Sequence, residues 1–465
     1  MLYKPSKGKI KDGCMIFASG KFYLFSMYHK EGTPQDFRNV WLAISEDGVH
    51  FKDHGCVVED FPDYIWAMKV YRGEDAYYMN SGSFTKDGQQ AVLKFWRSED
   101  LIRWEYMPSL DLVAPNHAEK GARLDCMNVL EKDGRYYGYA TGQFGYLESI
   151  DGAHWATYPS RMDFRPFPPY NTALGGFEVA DCVEMDGKFY MLCGGFGHLG
   201  MNGYGVYLYE SDTPDGVFSP CLPSYRLNGT SHRWVNMWER CFRVGDEVLC
   251  HNYMYDGHTY ENGNVYLPPI KRLQKTDKSL CLAWWEGNHA LYGKICQSVE
   301  RLMAERPSCG VFISPKGEYA ISECLSLPDS VVIECRLTLS ENKFTEYSCG
   351  GLYLAEDEAE GSAILFDTYG KCEIVHVKDC QEIATEDVIG FGSTAPYYME
   401  GGKTYDIRIL SRHGMFEIYV NDLYLQTFNN AHATDGYAKP LTGIGAISQR
   451  RGALLTDVRV YHMNL

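Results

Sequence analysis

The chain has 465 residues, of which 45% are hydrophobic and 23% are charged, a composition typical of a soluble globular protein. The formal net charge of −17 argues against nucleic acid or an anionic membrane as a partner, because both attract clustered basic residues. The length exceeds what one ordinary core supports, so we expect two domains, and no apolar run is long enough to span a bilayer.

Cysteine usage indicates a reducing compartment. The 16 cysteines include no Cys-x-x-Cys pair, and several lie in apolar strand-like segments such as Met191–Cys193 and Val248–Cys250. This pattern favours buried, reduced thiols over a disulfide framework or a zinc site. The N-terminus has basic residues but no apolar segment after them, so we expect no signal peptide. We therefore predict a cytoplasmic protein with no metal and no cofactor.

A turn motif recurs along the first half of the chain. It consists of Ser-x-Asp followed by an aromatic residue, and each copy comes directly after a strand-like run. Asp-Gly within the motif supplies the left-handed backbone of a tight hairpin turn, and the aromatic residue can then pack between neighbouring sheets. The copies are Ser45–Phe51, Ser98–Trp104, Ser149–Trp155 and, more loosely, Ser211–Phe218.

A second repeat, a short aromatic hairpin, precedes each of these turns and adds a fifth copy. The two repeats together give four antiparallel strands in every unit of roughly 50 to 60 residues, which is the pattern of a propeller blade. We therefore predict an all-β protein with a five-bladed β-propeller over residues 1–295. The hairpin copies are Gly20–Phe25, Glu74–Met79, Asp133–Gly138, Asp186–Met191 and Gly245–Cys250.

The pattern changes after the fifth unit. Residues 296–306 have little turn signal and are predicted to be a linker formed by a short helix or strand. Residues 307–465 contain short runs that alternate apolar and polar positions, which predicts a β-sandwich of the concanavalin or jelly-roll type. This second domain is either a structural module packed on the propeller or an accessory sugar-binding surface.

Three acidic residues fall at the starts of the predicted innermost strands, where a propeller brings distant parts of the chain to one mouth. They are Asp12 in the first unit, Asp125 in the third and Glu178 in the fourth. Glycoside cleavage needs one protonated carboxyl as general acid and one ionised carboxylate as nucleophile or base. A third carboxylate can hold ring hydroxyls. The three acids are therefore candidate catalytic residues for a small carbohydrate substrate.

Other residues at the same strand starts are candidates for substrate binding. Tryptophan can stack on a sugar face, and basic side chains can bind hydroxyls or keep an acid ionised. Core packing and ion pairs between blades explain these residue types equally well. The candidates are Trp66, Lys69, Arg123, Asp181, Trp238 and Glu239, with Arg240 as a further cation.

The predicted layout resembles glycoside hydrolase family 32, the invertase and fructan hydrolase group. Glu178–Asp181 is similar to the family's Glu-Cys-Pro-Asp motif and keeps both acids. Arg123–Asp125 is similar to its Arg-Asp-Pro motif, and Asp12-Gly13 to part of its Asn-Asp-Pro-Asn-Gly motif. The resemblance implies that Asp12 is the nucleophile or base, Asp125 the stabiliser of the transition state and Glu178 the general acid. It also implies retention of the anomeric configuration.

Three functions agree with these features. The first is a β-fructosidase-like hydrolase of small furanoside-containing oligosaccharides. The second is a phosphorylase or transglycosidase, in which Lys69, Arg123 and Arg240 hold phosphate. The third is a sugar-binding propeller without catalytic activity.

Overall fold

The fold is almost entirely antiparallel β-structure. No helix in the ranges that the structure covers has the length and apolar character needed to cross a membrane. The computed structural model describes residues 1–32, 37–84, 90–114, 125–140, 145–158, 163–164, 178–196, 203–258, 263–277, 279–304, 310–315, 317–341, 349–367, 370–433, 436–449 and 452–465.

Four separate sheets in the first half of the chain have the form of propeller blades. The first sheet contains β1 (Lys9–Ala18), β2 (Lys21–His29), β3 (Asn39–Ser45) and β4 (Lys52–Val58), and the second β5 (Trp66–Arg72), β6 (Tyr77–Phe84), β7 (Ala91–Ser98), β8 (Glu105–Tyr106) and β9 (Leu112–Val113). The third contains β10 (Asn128–Lys132), β11 (Arg135–Ala140), β12 (Gly145–Ser149) and β13 (Ala156–Tyr158), and the fourth β14 (Asp163–Phe164), β15 (Glu178–Met185), β16 (Lys188–Phe196), β17 (Tyr204–Ser211), β18 (Val217–Pro220) and β19 (Arg226–Gly229).

The fifth predicted blade is not a separate sheet. Its strands are β20 (Asn236–Val244), β21 (Glu247–Tyr255), β22 (Val265–Tyr266), β23 (Lys271–Lys275) and β24 (Leu280–Trp284). The outer strand β24 pairs through Ala283 with Leu423 of the C-terminal region, so these strands belong to one sheet of 11 strands. Four of the five predicted blades are therefore separate sheets, whereas the fifth set of strands continues into the C-terminal region, so the prediction of a five-bladed propeller is met only in part.

The C-terminal region consists of two facing sheets. One is the remainder of the 11-stranded sheet, and it contains β25 (Tyr292–Ala304), β29 (Val331–Leu339), β34 (Thr404–Arg412), β35 (Met415–Val420), β36 (Leu423–Asn429) and β38 (Ala453–Met463). The other contains β26 (Gly310–Ser314), β27 (Gly317–Ile321), β28 (Leu325–Ser326), β30 (Cys349–Ala355), β31 (Glu360–Asp367), β32 (Cys372–Lys378), β33 (Gln381–Ile389) and β37 (Gly443–Gln449).

An apolar core lies between these two sheets, as a β-sandwich requires. Ile333 and Ile409 come from the first sheet, and Leu352, Ile364 and Ile444 from the second, and all five are fully buried in one cluster. The predicted linker residues, as far as they are described, form most of β25, which pairs with the final strand β38. The chain thus enters the second domain through a strand.

The first strands of the five propeller sets pack side by side in a closed cycle, in the order β1, β5, β10, β15, β20 and back to β1. We call these five the inner strands. Aromatic residues from the turn motif wedge between successive sheets, as the sequence pattern predicts. The ring centroids of Trp104 and Phe25 of the first sheet lie 5.6 Å apart, and those of Trp155 and Tyr71 of the second sheet lie 6.1 Å apart. Each sheet is therefore held against the preceding one by a large apolar contact.

The Ser-x-Asp turns share one hydrogen-bond arrangement. In the third copy the Ser149 hydroxyl accepts from the amide of Gly152 at 2.9 Å, and Asp151 Oδ1 accepts from the amides of Ala153 and His154 at 2.8 and 2.9 Å. The first two copies repeat these contacts at Asp47 and Asp100. The side chains thus satisfy backbone donors that the turn leaves without strand partners.

We expect replacement of Asp151 by Ala to destabilise the protein by about 1–2 kcal/mol, because two backbone amides lose their acceptor, as at a helix N-cap. The apparent melting temperature should fall by a few degrees. Asp212→Ala is the matched control, since Asp212 is exposed and lies 3.9 Å from its partner Lys188. An equal shift in both variants would contradict a special role for the turn.

Candidate active site

The inner strands share a local irregularity near their starts. Register breaks occur between Lys11 and Cys14 in β1, between Trp66 and Lys69 in β5, between Val179 and Asp181 in β15, and between Met237 and Arg240 in β20. A β-bulge bends its strand and re-aims the side chains on it. Recurrence at four inner strands therefore marks the starts of these strands as the place where side chains are redirected.

Asp12 occupies the bulge of β1. Its φ angle of +41° is unfavourable for a residue other than glycine. The residue is only 4% exposed, its Oδ2 lies 3.5 Å from Lys11 Nζ, and its buried Oδ1 has no hydrogen-bond partner among the described residues. A buried carboxylate oxygen without a donor is costly, so a ligand hydroxyl at this position would complete its hydrogen bonding.

Gly13 explains why the chain can bulge here. A Cβ atom at this position would lie 2.0 Å from the Phe25 carbonyl oxygen and 2.3 Å from the Tyr253 hydroxyl. Only glycine permits that approach. The Tyr253 hydroxyl is in turn 3.0 Å from Ser26 Oγ, so a buried polar contact lies against Gly13, the residue that follows Asp12.

Glu178 is the first residue of β15 and is 2% exposed. The Tyr204 hydroxyl donates to Glu178 Oε2 at 3.4 Å. Gly194 lies opposite Glu178 in the strand register, and a Cβ atom there would lie 1.7 Å from the Tyr204 hydroxyl oxygen. The glycine therefore leaves the space through which the tyrosine reaches the carboxylate.

Asp125 lies three residues before β10 and is 1% exposed. The three predicted catalytic acids thus lie near the starts of three inner strands, with Asp12 the fourth residue of β1, and all are buried. Strands β10 and β15 are neighbours in the cycle, whereas β20 lies between β15 and β1.

Lys69 and Asp181 form a buried ion pair between the second and fourth inner strands. Lys69 Nζ lies 2.6 Å from Asp181 Oδ2, which also accepts from the Cys241 amide of β20 at 2.8 Å. Asp181 Oδ1 accepts from the Cys182 amide at 2.9 Å. Both predicted substrate-binding residues are therefore engaged with protein, and together they connect three inner strands.

The predicted binding residues of β20 are also buried. Trp238 is 1% exposed with a φ angle of +54°, and the Arg240 guanidinium lies 4.4 Å from its ring centroid. Arg240 donates to the Met68 carbonyl and, at 3.1 Å, to Cys126 Sγ. Trp238 therefore packs inside the ring of strands and presents no open face for stacking.

Glu239 is fully buried and accepts a hydrogen bond from Asn228 Nδ2 at 2.7 Å. Burial raises the pKa of its carboxyl to about 7, although the charge of Lys271 opposes this shift. Trp66 is half-buried and contacts Phe37 at 5.3 Å. Of the described binding candidates, Trp66 alone keeps substantial accessible surface, and Arg123 lies outside the described residues.

His251 is a buried residue that the sequence analysis missed. It lies opposite Arg240 in the register of β20 and β21, and neither ring nitrogen has a hydrogen-bond partner in the part of the chain that the structure describes. Burial lowers the pKa of its imidazole well below the usual value, and the charges of Arg240 and Lys69 lower it further. Because His251 lies on the second strand of its set, opposite a bulge, no local sequence pattern singles it out.

Among the described residues, one group has metal-ligand chemistry, namely His376, Glu386 and His432 of the C-terminal region, with ligand atoms within 4.8 Å of one another. The two imidazole rings are parallel at 3.6 Å, so one ion cannot lie in both ring planes. His432 already hydrogen-bonds Glu356 at 2.7 Å and Glu386 at 2.9 Å. The geometry is that of a charged hydrogen-bond network, which Arg233 extends to the propeller by its 2.6 Å ion pair with Glu386.

No protein-family model matches the chain, and no curated protein matches it in sequence. Solved structures do match. The sucrose-6-phosphate hydrolase from Lactobacillus gasseri has a TM-score of 0.68 at 13% identity, with 98% of this chain and 91% of that chain covered. A Bombyx mori GH32 β-fructofuranosidase mutant in complex with sucrose has a TM-score of 0.67 at 11% identity, with 99% and 92% covered.

The exo-inulinase from Aspergillus awamori is similar as well, with a TM-score of 0.67, 13% identity, and 99% and 97% of the two chains covered. These likenesses extend over both domains. At such low identity they establish shared architecture and leave the chemistry of individual residues open. The resemblance to glycoside hydrolase family 32 is confirmed at the level of fold.

Breaking the Lys69–Asp181 pair should be costly. We expect Lys69→Met to destabilise the protein by about 3–5 kcal/mol, because it leaves a buried, uncompensated carboxylate. The double variant Lys69→Met/Asp181→Asn should recover part of this loss, since no charge remains unpaired. Chemical denaturation measures both. Lys21→Met is the control, because the partner of Lys21, Glu46, is exposed. If Lys69→Met lowered the free energy of unfolding no more than Lys21→Met does, the structural importance of the buried pair would be contradicted.

The His432 network predicts a pH-dependent stability. Burial alone lowers the pKa of His432, but the hydrogen bonds that its ring donates to Glu356 and Glu386 outweigh burial and raise the pKa to about 9. Because this exceeds the ordinary value of about 6.5, the stabilisation is complete below pH 6.5 and is lost as the pH rises through 9. Melting temperatures of the wild type should fall over this window, and those of His432→Gln should start lower and change less.

The matched control for this measurement is His54→Gln, which replaces an exposed histidine. Its melting temperature should follow that of the wild type at every pH. If the melting temperature of His432→Gln still fell by the full wild-type amount as the pH rises, the His432 network would not be the source of that fall.

Proposed function

We propose that the protein is a retaining glycoside hydrolase of small furanoside-containing oligosaccharides. In this proposal residues 1–295 form a five-bladed propeller whose fifth blade shares its sheet with the sandwich at 307–465, and the active site lies at the channel mouth. The observation that carries the proposal is the burial of three carboxylates, Asp12, Asp125 and Glu178, at the starts of inner strands that pack in a closed cycle.

The proposed chemistry assigns one role to each acid. Glu178 protonates the glycosidic oxygen while Asp12 attacks the anomeric carbon and forms a glycosyl-enzyme intermediate. Glu178 then removes a proton from the water that hydrolyses this intermediate. Asp125 binds ring hydroxyls and balances positive charge in the oxocarbenium-like transition state. The Lys11 ammonium, 3.5 Å from Asp12, adds positive charge beside the attacking carboxylate.

The similar solved structures support a carbohydrate substrate. They include a GH32 β-fructofuranosidase in complex with sucrose and an exo-inulinase. Fructose-containing oligosaccharides are therefore the first substrates to test. Because the sequence around Asp12 and Asp125 departs from the family motifs, other furanosides should be tested next.

Of the alternatives, a phosphorylase is less well supported. Its phosphate would need unpaired cations at the mouth, but Lys69 is paired with Asp181, and Arg240 donates to Met68 and Cys126. Water is therefore the favoured acceptor. A structural role for the sandwich is supported by the Lys271–Glu417 ion pair between the domains, 2.9 Å long and fully buried. The 15 described cysteines are all free thiols and only Cys380 is exposed, which supports a cytoplasmic location.

We expect Glu178→Gln to reduce kcat on a cleavable sugar by about 10²–10⁴-fold, because the amide cannot protonate the leaving group. Initial rates on sucrose, inulin and nitrophenyl furanosides measure the loss. Addition of azide should partly rescue turnover of a substrate with a good leaving group, since such a substrate still forms the glycosyl-enzyme without acid assistance.

Glu184→Gln is the matched control, because Glu184 lies on the same strand but at its outer end, 3.4 Å from Lys132. Its activity should equal that of the wild type. Undiminished turnover in a folded Glu178→Gln protein, checked by circular dichroism, would refute the role of Glu178.

A further inference from the structure

A buried segment of the propeller lies between Tyr204, which donates to Glu178, and the sandwich. It comprises residues 230–235, between β19 and β20, and we call it the connector. Three of its polar residues, Thr230, Ser231 and Arg233, are buried. The connector makes polar contacts on two sides, one with the backbone around Tyr204 and the other with the sandwich.

The connector is hydrogen-bonded to the backbone at the start of β17. The Thr230 amide donates to the Tyr204 carbonyl at 3.0 Å, and the Gly203 amide donates to the Ser231 carbonyl at 3.0 Å. A Cβ atom at Gly203 would lie 2.0 Å from the Thr230 carbonyl oxygen, so only glycine permits this approach. The position of the Tyr204 backbone therefore depends on the position of the connector.

The connector also packs against the side chain of Tyr204. The rings of Trp234 and Tyr204 are nearly parallel, at 17°, with their centroids 6.2 Å apart. The Tyr204 hydroxyl donates to Glu178 Oε2 at 3.4 Å, which is long for a hydrogen bond between oxygens. A small displacement of the Tyr204 ring would therefore break its contact with the proposed general acid.

The sandwich holds the connector through Arg233. Its guanidinium donates from Nη1 to Glu386 Oε2 at 2.6 Å and from Nη2 to Asn429 Oδ1, also at 2.6 Å. The same group lies 5.0 Å from the ring centroid of Phe428. Glu386 is fixed in turn, because the His432 ring donates to it at 2.9 Å. The planar fork of an arginine suits this attachment to two acceptors.

A second attachment to the sandwich lies two residues earlier. Asp387 Oδ1 accepts from the Ser231 amide at 2.7 Å, and Asp387 Oδ2 accepts from Gln426 Nε2 at 2.6 Å. Contacts thus run without a break from the sandwich to Arg233, from the adjacent Trp234 to Tyr204, and from Tyr204 to Glu178. The position of the proposed acid is linked by this path to side chains of the other domain.

We propose that Arg233 is a positioning residue for Glu178, and that the sandwich contributes to the reaction by holding Arg233 through Glu386 and Asn429. The proposal rests on the hydrolase function proposed above and adds one residue and one domain to its machinery. Proton transfer requires precise geometry, and a misplacement of about 1 Å can cost about 10²-fold in rate. Catalytic groups keep such geometry when supporting residues are themselves fixed by packing and hydrogen bonds.

Substrates with different leaving groups distinguish a positioning role from a general effect on stability. Formation of the glycosyl-enzyme from sucrose needs a proton on the leaving oxygen, whereas a nitrophenyl furanoside has a good leaving group and needs little acid assistance. We expect Arg233→Met to lower kcat/KM on sucrose by about 10- to 100-fold and on the nitrophenyl furanoside by less than about threefold. The loss on sucrose should be mainly in kcat, because the interaction acts in the transition state.

Lys271→Met is the matched control, because Lys271 is also a buried propeller cation paired with a sandwich acid, Glu417, at 2.9 Å. It should lower stability without changing the ratio of kcat/KM for the two substrates. Arg233→Lys keeps the charge but loses the fork, so its loss on sucrose should be smaller than that of Arg233→Met. If Arg233→Met does not fold, Trp234→Leu tests the same path at a half-buried position and should show the same selective loss.

Two kinetic outcomes would overturn the proposal. One is an equal loss on both substrates in Arg233→Met, and the other is the same selective loss in Lys271→Met. Either outcome would indicate that the contacts of Arg233 serve stability alone.

Crystal structures of the two methionine variants separate this proposal from the hydrolase function. The Tyr204 hydroxyl should lie beyond hydrogen-bonding distance of Glu178 in Arg233→Met and keep its contact in Lys271→Met. That displacement in a protein that cleaves no sugar would support the path from Arg233 to Glu178 and count against the hydrolase. An unmoved Tyr204 in Arg233→Met would overturn the proposal whatever the activity.

Discussion

Closure of the ring of inner strands is the constraint on which the rest of the structure depends. Five strands from distant parts of the chain pack side by side around one axis, and the last returns to the first. Aromatic residues make this possible by filling the wedge between successive sheets, as Trp104, Trp155 and Phe218 do. At the closure, Trp285 from the fifth set contacts Phe22 of the first sheet at 5.6 Å. The buried acids near the starts of these strands belong to one ring only because this cycle closes.

Burial at the starts of these strands has an electrostatic cost that the structure offsets in two ways. Cations within the ring are paired with acceptors of the protein. Lys69 pairs with the Asp181 carboxylate, and Arg240 donates to the Met68 carbonyl and to Cys126 Sγ. These contacts fix the strands that carry the acids. Asp12, by contrast, has a strained backbone and an oxygen to which no described residue donates. Such incomplete satisfaction is common where a fold holds a group ready for a ligand.

Much of this arrangement follows from local sequence pattern. The Ser-x-Asp turns, the aromatic wedges and the acids at the strand starts depend on short-range signals, and the structure contains them. The hydrogen bonds of Ser149 and Asp151 are made by the residues that define the turn motif. The alternation of apolar residues after residue 307 likewise predicts the sandwich.

Other features depend on contacts that no local pattern encodes. The fusion of the fifth set with the sandwich rests on one pairing between Ala283 and Leu423, 140 positions apart. The left-handed backbone at Ala67 and Trp238 is imposed by the bulges and lacks the glycine that signals it elsewhere. Trp238 and Glu239 are candidates for substrate binding or for core packing by residue type alone, and tertiary packing buries both. Residue type and strand position could not reveal which side of the bulge each would face.

The most direct test of the account is a crystal structure of the Glu178→Gln protein soaked with sucrose or 1-kestose. The account predicts a sugar ring at the channel mouth, with Asp12 Oδ1 hydrogen-bonded to it or placed beneath its anomeric carbon, and with Asp125 and position 178 in contact with the same sugar. A sugar bound only at another surface, with protein side chains filling the space between the three acids, would contradict it.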